Sequence, residues 1–221
     1  MELYEYIKAH SSKESEALKW VEKQTHLRTN HARMLSGAVL GEFLQMIVKM
    51  IRPERILEIG SFTGYSAICL ASALKELEVE GATNLWDCRL DTLEINDELE
   101  DVIFGGLERA GVDNIVKVHF GDAKENLAKL FNTGAKYDLI YIDANKREYC
   151  QYYDLCFDML SKGGYILADN VLWDGKVYQN PLPQDKQTQE LAKFNSRIAS
   201  DPRVESVILP IRDGVNLIRK K

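Results

Sequence analysis

Cysteine is scarce in this chain. Its four residues, Cys69, Cys88, Cys150 and Cys156, show no C-x-x-C spacing. That excludes a disulfide framework and a zinc ribbon, and it reads as small apolar side chains in a reducing compartment. Basic charge is in deficit, with 28 Lys and Arg against 34 Asp and Glu. A formal charge of −6 excludes a general nucleic-acid coat protein, though not a local basic site. Long apolar runs are missing too: the richest window, Ala38 to Ile51, is interrupted by Glu42, Gln45 and Lys49 and makes no membrane span. The stretch MELYEYIKAHSSKESEALKW lacks the apolar segment of a secretory signal, so a cytoplasmic protein is expected.

What remains is an ordinary globular composition, 45% hydrophobic and 28% charged, in 221 residues. A chain of that length buries roughly 70% of its unfolded surface without staples. No repeat, low-complexity tract or Gly/Ser linker divides it, so one domain over 1–221 is expected, with a helical region over 1–51 and an α/β core over 52–221.

The pattern supports that division. Val39, Leu40, Phe43, Leu44, Ile47, Val48 and Ile51 recur at helical spacing, and Arg52-Pro53 stops the helix they predict. Apolar runs then alternate with helical stretches. Strands are predicted at Ile56–Ile59, Arg89–Ile95, Val116–Phe120, Tyr137–Asp143 and Tyr165–Asp169. Helices are predicted over Tyr65–Leu77 and Asp97–Ala110, with Gly111 as a left-handed cap. Asp122 is placed to cap a third, and a fourth should end near Lys162-Gly163-Gly164. Two last runs, Val204–Pro210 and Val215–Lys220, flank the turn signal Arg212-Asp213-Gly214. Five strands alternating with helices predict a doubly wound, mostly parallel α/β sheet, to which the terminal hairpin adds an antiparallel edge.

In such a sheet ligands bind beyond the carboxyl ends of the strands. The residues there are Glu58 with Gly60, Glu94, Asp122, Asp143 and Asp169-Asn170. Carboxylates gathered on one rim repel one another unless a cation or hydrogen-bond donors relieve them. The turn EIGSFTGYS carries Gly60 and Gly64 in a G-x-x-x-G spacing, which a purely structural turn would also explain. Glu94 sharpens it, because an acid ending the second strand is placed to accept bonds from both hydroxyls of a ribose. It stands 30 positions beyond Gly64, farther than in the dinucleotide fingerprint, and the excess lies in LEVEGATNLWDC, Leu77 to Cys88. A nucleoside ligand is therefore expected, with NAD disfavoured. Asp143, Asp169 and Asn170 are hard oxygen donors that suit Mg²⁺, Mn²⁺ or Ca²⁺ and not zinc. Asp169 and Asn170 can share an ion only if the strand ends there and the backbone turns, and a loop-start cap is the other reading. Lys146 is a candidate base beside such an ion or a solvated helix start. His10, His26, His31 and His119 form no ligand spacing and read as structural.

Several segments in order, MLSGAVLGEFLQM, ILEIGSFTGYSAICLASAL, YDLIYIDANKREY, GGYILADNVLWDGKV and DPRVESVILPIRDGVNLIRK, resemble the cation-dependent S-adenosylmethionine O-methyltransferases of the caffeoyl-CoA and catechol type. The resemblance runs from about Trp20 to the C-terminus. It implies a Rossmann-like, seven-stranded methyltransferase sheet with the last strand antiparallel, and N-terminal helices that dimerise or cover substrate. It assigns Ser36, Glu58, Gly60, Ser61, Ser66, Glu94, Asp122, Ala123 and Asp143 to the cofactor. Asp143, Asp169 and Asn170 match the metal ligands, with Mg²⁺ the first choice, and Lys146 matches the catalytic base beside Asp143. Asn145 stands where the plant enzymes have an acid that contacts substrate, and Arg212 replaces a small residue of their pattern. Trp173 is a candidate substrate wall with Tyr178, or packs under its loop.

The implied reaction is methyl transfer to one oxygen of a vicinal, catechol-like diol. The rivals are methylation of a hydroxylated nucleoside in tRNA, which the negative charge disfavours, a nicotinamide oxidoreductase, and a non-catalytic cofactor-binding subunit. The implied assembly is a homodimer, with no membrane partner.

Overall fold

The computed structural model describes residues 3–79 and 89–221. Most of the predicted excursion over Leu77–Cys88, including Cys88 itself, lies outside the described residues. The helices are α1 (Leu3–Ala9), α2 (Glu16–Arg28), α3 (Gly37–Ile51), α4 (Tyr65–Val79), α5 (Glu100–Ala110), α6 (Ala123–Asn132), α7 (Tyr149–Phe157) and α8 (Lys186–Ser200). The strands are β1 (Arg55–Ile59), β2 (Arg89–Glu94), β3 (Val116–Phe120), β4 (Tyr137–Ile142), β5 (Leu160–Ala168), β6 (Val204–Leu209) and β7 (Val215–Lys220). They form one seven-stranded sheet in the order β3-β2-β1-β4-β5-β7-β6.

The chain divides into two compact units. One comprises Met1–Glu54 and Ser61–Phe120, the other Arg55–Gly60 and Gly121–Lys221. In the first, α3 buries Leu40, Leu44, Ile47 and Val48 of the predicted stripe, while Val39, Phe43 and Ile51 at its edges are half-buried. A side chain at Gly41 would meet Cys69 Sγ at 2.8 Å, so the absence of one lets α3 lie close against α4. The 20-residue stretch Ala32–Ile51 is long and apolar enough to cross a membrane by composition alone, but it is a short 3-10 turn followed by this packed helix. Arg52 ends α3 in the left-handed conformation (φ 54°), ahead of Pro53. Strands β2 and β3 pair in parallel from Leu90↔Val116 to Glu94↔Phe120.

In the second unit β1, β4 and β5 run parallel, with Ile59↔Ile142 and Ile142↔Ala168 in register at their carboxyl ends. Ile56, Leu57, Ile59, Leu139, Ile140, Ile142, Ile166 and Leu167 are fully buried, as strands covered on both faces must be. Each such side chain contributes about 1.5–3 kcal/mol by leaving water. Strand β7 is antiparallel to both neighbours and separates β5 from β6, which forms the edge. The last strand is thus the reversed one. Asp122 caps α6 as predicted, its Oδ1 accepting the Lys124 and Glu125 amides.

Two boundaries differ from the sequence reading. The helix expected to end near Lys162-Gly163-Gly164 ends at Phe157, and β5 already begins at Leu160. Gly163 takes a positive φ of 79° inside the strand, and Gly164 lies so close to the Asp138 carbonyl that no side chain would fit. The glycine pair therefore serves an irregular strand pairing, where the register shifts, and not a helix cap. Helix α8, capped by Asp185, was not anticipated.

Candidate active site

In the first unit the turn after β1 is built around Glu94. This carboxylate, 7% exposed, ends β2; Oε2 accepts the Phe62 amide at 2.5 Å and Oε1 the Asn96 amide at 2.9 Å. Burial pushes its pKa up while the amides pull it down. The turn closes through Ser61 N to Leu93 O (3.1 Å) and Gly64 N to Ser61 O (2.9 Å), with Phe62 and Gly64 at positive φ. Ser61 Oγ is buried and has no partner among the described residues. Ser66 follows in the first turn of α4, whose N-terminal amides make an anion-friendly end. Ser36 lies buried just before α3. Thr63, also fully buried, donates to Thr25 Oγ1 of α2 at 2.8 Å, and Thr25 passes its own proton to Val21 O. Neither threonine was singled out from the sequence, because only the fold brings residues 38 positions apart together.

The second unit holds the acidic cluster. Gly60 (φ 98°) follows β1, and a side chain there would run into the Asp143 carbonyl. Glu58 is fully buried on β1. Asp143 follows β4 and donates its amide to Ile59 O at 2.9 Å. Its Oδ1 accepts from Lys146 Nζ at 2.5 Å, and Lys146 donates also to Tyr149 Oη at 2.9 Å. Lys146 is not a solvated helix start: its side chain is only 10% exposed.

Asp169 is 1% exposed, accepting from Tyr141 Oη at 3.1 Å and from the Asn170 amide at 2.7 Å. Burial, then the charge of Asp143, pushes its pKa to about 7, against the pull of Lys146. Strand β5 stops at Ala168, and Asn170 turns into the left-handed region (φ 60°), meeting the geometric condition for two neighbours to serve one site. Asp213, in the β6–β7 turn, pins the loop that follows, accepting Leu172 N through its backbone oxygen and Asp174 N through Oδ1.

The other predicted residues fall as follows. Asn145 is exposed and its Oδ1 accepts the Arg147 amide, so it works as the cap of a 3-10 turn. Asp122 and Ala123 sit at the start of α6. Trp173 is half-buried at positive φ with its Nε1 unpartnered among the described residues, whereas Tyr178 is largely exposed. His119 bonds Asp91 Oδ1 at 2.7 Å, the structural use expected of it. Among the described residues no three His, Cys, Asp or Glu side chains group to hold a metal. The candidate set is two carboxylates and an amide. Its chemistry fits a hard cation, because the Asp169 carboxylate is held almost out of water near the charge of Asp143, and the one ammonium there is paired with Asp143.

A mostly parallel seven-stranded sheet with its last strand reversed, a tight glycine turn after β1 and an acid closing β2 are the architecture of a Rossmann-like methyltransferase. The chain belongs to the O-methyltransferase family, whose model matches residues 8–221, and is an S-adenosylmethionine-dependent O-methyltransferase. It is 33% identical over 195 residues to caffeoyl-CoA O-methyltransferase 2 of Petunia hybrida, covering 85% of this chain and 76% of the relative. It is 32% identical over 229 residues to the caffeoyl-CoA O-methyltransferase of Medicago sativa, covering 99% and 88%. Among solved structures it is similar to the S-adenosylhomocysteine-bound methyltransferase PaMTH1 of Podospora anserina (TM-score 0.86, 29% identity, 99% and 94% covered). It is also similar to the O-methyltransferase TomG of Streptomyces achromogenes in complex with S-adenosylmethionine (TM-score 0.84, 28% identity, 98% and 94% covered).

Proposed function

We propose that this enzyme methylates one oxygen of a vicinal diol on an aromatic small molecule, with a divalent cation held by Asp143, Asp169 and Asn170. The observation that carries the reading is the pair of carboxylates just past β4 and β5, Asp169 buried and Asp143 half-buried, with the Lys146 ammonium against Asp143. Two like charges in so dry a place are stable only beside positive charge, and their oxygens suit Mg²⁺ first, then Mn²⁺ or Ca²⁺. A bound cation of this kind acts as a Lewis acid that makes a coordinated hydroxyl easier to deprotonate.

The chain's own groups do the rest. Lys146 Nζ, in its neutral amine form and so after its own proton has left to solvent, accepts the proton of the reacting hydroxyl, and Trp173 supports the flat face of the acceptor. The residues that bind and orient the methyl donor are Ser36, Glu58, Gly60, Ser61, Ser66, Glu94, Asp122, Ala123 and Asp143. Alignment of oxygen and methyl group then supplies much of the acceleration. Exposed Leu3, Tyr4, Tyr6 and Ile7 on α1 support a homodimer, and the three buried free thiols support a cytoplasmic setting.

The test is turnover of 3,4-dihydroxybenzoate with S-adenosylmethionine, with Mg²⁺ or with EDTA, after micromolar binding of S-adenosylhomocysteine is established by calorimetry. EDTA and Asp169→Ala should each abolish methylation. Lys146→Ala should slow it about 100-fold or more, the usual loss of a general base. Full activity of Asp169→Ala in EDTA would remove the cation from the reading, and normal turnover of Lys146→Ala would remove the base.

A further inference from the structure

Tyr149 has no role in the reading above, yet it is the most tightly held polar side chain around the acidic cluster. Its ring is fully buried, edge-on to Phe194 (5.5 Å between centroids, 85°) and tilted against Tyr152 (6.5 Å, 58°). Its hydroxyl is bonded on both sides. An ammonium only donates, so the bond from Lys146 Nζ at 2.9 Å uses Tyr149 Oη as acceptor. The phenolic proton then lies between the Asp169 carbonyl at 2.8 Å and the Ile142 carbonyl at 3.2 Å. Ile142 ends β4 and Asp169 follows β5, so the frame that places both acidic side chains also places this hydroxyl.

We infer that Tyr149 is a positioning residue that holds the Lys146 ammonium at the reaction site. A lysine side chain is a flexible four-carbon stem that samples many rotamers unless its end is tied. Asp143 ties it once, but Asp143 is also assigned to the cation. The Tyr149 hydroxyl, anchored to backbone and not to a side chain, is the fixed partner. With 5.1 Å from Nζ to the ring centroid and 2.9 Å to Oη, the ammonium lies off the hydroxyl end of the ring, so the hydrogen bond is the tie. Proton transfer depends on where the accepting nitrogen sits, so loosening that tie should slow turnover without weakening substrate binding. The inference rests on the assignment of Lys146 as base, and its test separates the two.

Tyr149→Phe removes the hydroxyl and keeps the ring, so the packing against Phe194 survives. With 3,4-dihydroxybenzoate, S-adenosylmethionine and Mg²⁺, kcat should fall about tenfold, within the range of a misaligned catalytic group, while KM and S-adenosylhomocysteine affinity stay put. In a Lys146→Ala background the same substitution should cost nothing further. A second readout needs no turnover: acetylation of Lys146 by an N-hydroxysuccinimide ester, followed by peptide mass spectrometry, should speed up severalfold in Tyr149→Phe, while acetylation of exposed Lys162 stays unchanged. Wild-type kcat together with wild-type Lys146 acetylation in Tyr149→Phe would overturn the inference. So would an equal loss of kcat in the Lys146→Ala background, which would mark a structural role. If Lys146→Ala itself turns over normally, the base assignment and the catalytic half of this inference fall together, and the acetylation rate alone decides whether Tyr149 holds the lysine.

Discussion

At the residue scale, the site depends on a few places where backbone and side chain leave no alternative. Gly60 combines φ 98° with direct contact against the Asp143 carbonyl. Gly60→Ala should therefore displace the Asp143 backbone or fail to fold. The expected result is loss of S-adenosylhomocysteine binding by calorimetry, and retained wild-type affinity would show that the turn yields without harm. Residues of this kind were legible in the sequence, because strand ends and glycine turns are marked by local pattern. Glu94, Asp143, Asp169 and Asn170 lie where strands were predicted to end, and Lys146 three residues beyond one such end. Tyr149, Tyr141 and the Thr25–Thr63 pair were not legible. A buried tyrosine in an apolar run reads as core, and only the folded chain shows that its hydroxyl meets a lysine or a carboxylate. Asn145 adds a use that the resemblance did not suggest: its Oδ1 also caps the 3-10 turn that begins at Lys146.

At the element scale, strands were easier than the boundaries between strand and helix. β3 runs over the residues predicted, because Val116, Val118 and Phe120 alternate with Lys117 and His119 at the two-residue period of a strand. The α7–β5 border was missed because Lys162-Gly163-Gly164 looks like a helix stop, although here it accommodates a register shift. Helix α8 was missed because its buried face is narrow, Thr188, Leu191, Phe194 and Ile198 among polar neighbours. Its end meets β6 through Asp201. That carboxylate accepts from the Tyr153 hydroxyl at 3.0 Å and from Arg203, which hold its pKa well below the usual range. A depressed carboxyl stabilises the fold above its unfolded pKa, near 4, and the contribution is lost as pH falls through the folded value. Asp201→Ala should cost about 1.5–3 kcal/mol at pH 7, the worth of hydrogen bonds to a charged group. Urea melts should show that difference narrowing below about pH 4. A gap that stays constant with pH would rule out the ionised Asp201 as its source.

At the scale of the whole molecule, α1 buries none of its residues, although Leu3, Tyr4, Tyr6 and Ile7 are large and apolar. A dimer that covers them should sediment at twice the mass of the chain, and Tyr6→Ser with Ile7→Ser should shift it towards monomer without lowering S-adenosylhomocysteine affinity. A monomer at all concentrations would leave α1 to another purpose. The buried hydroxyl pair between Thr25 and Thr63 has a wider consequence. It joins the first of the long helices to the turn that Glu94 holds, so the backbone of α2 cannot open without disturbing that turn. Occupancy of the turn is then felt thirty-eight residues upstream as slower exchange of the α2 amides with solvent deuterium. Exchange in α2 would then report whether the methyl donor proposed for this turn has arrived.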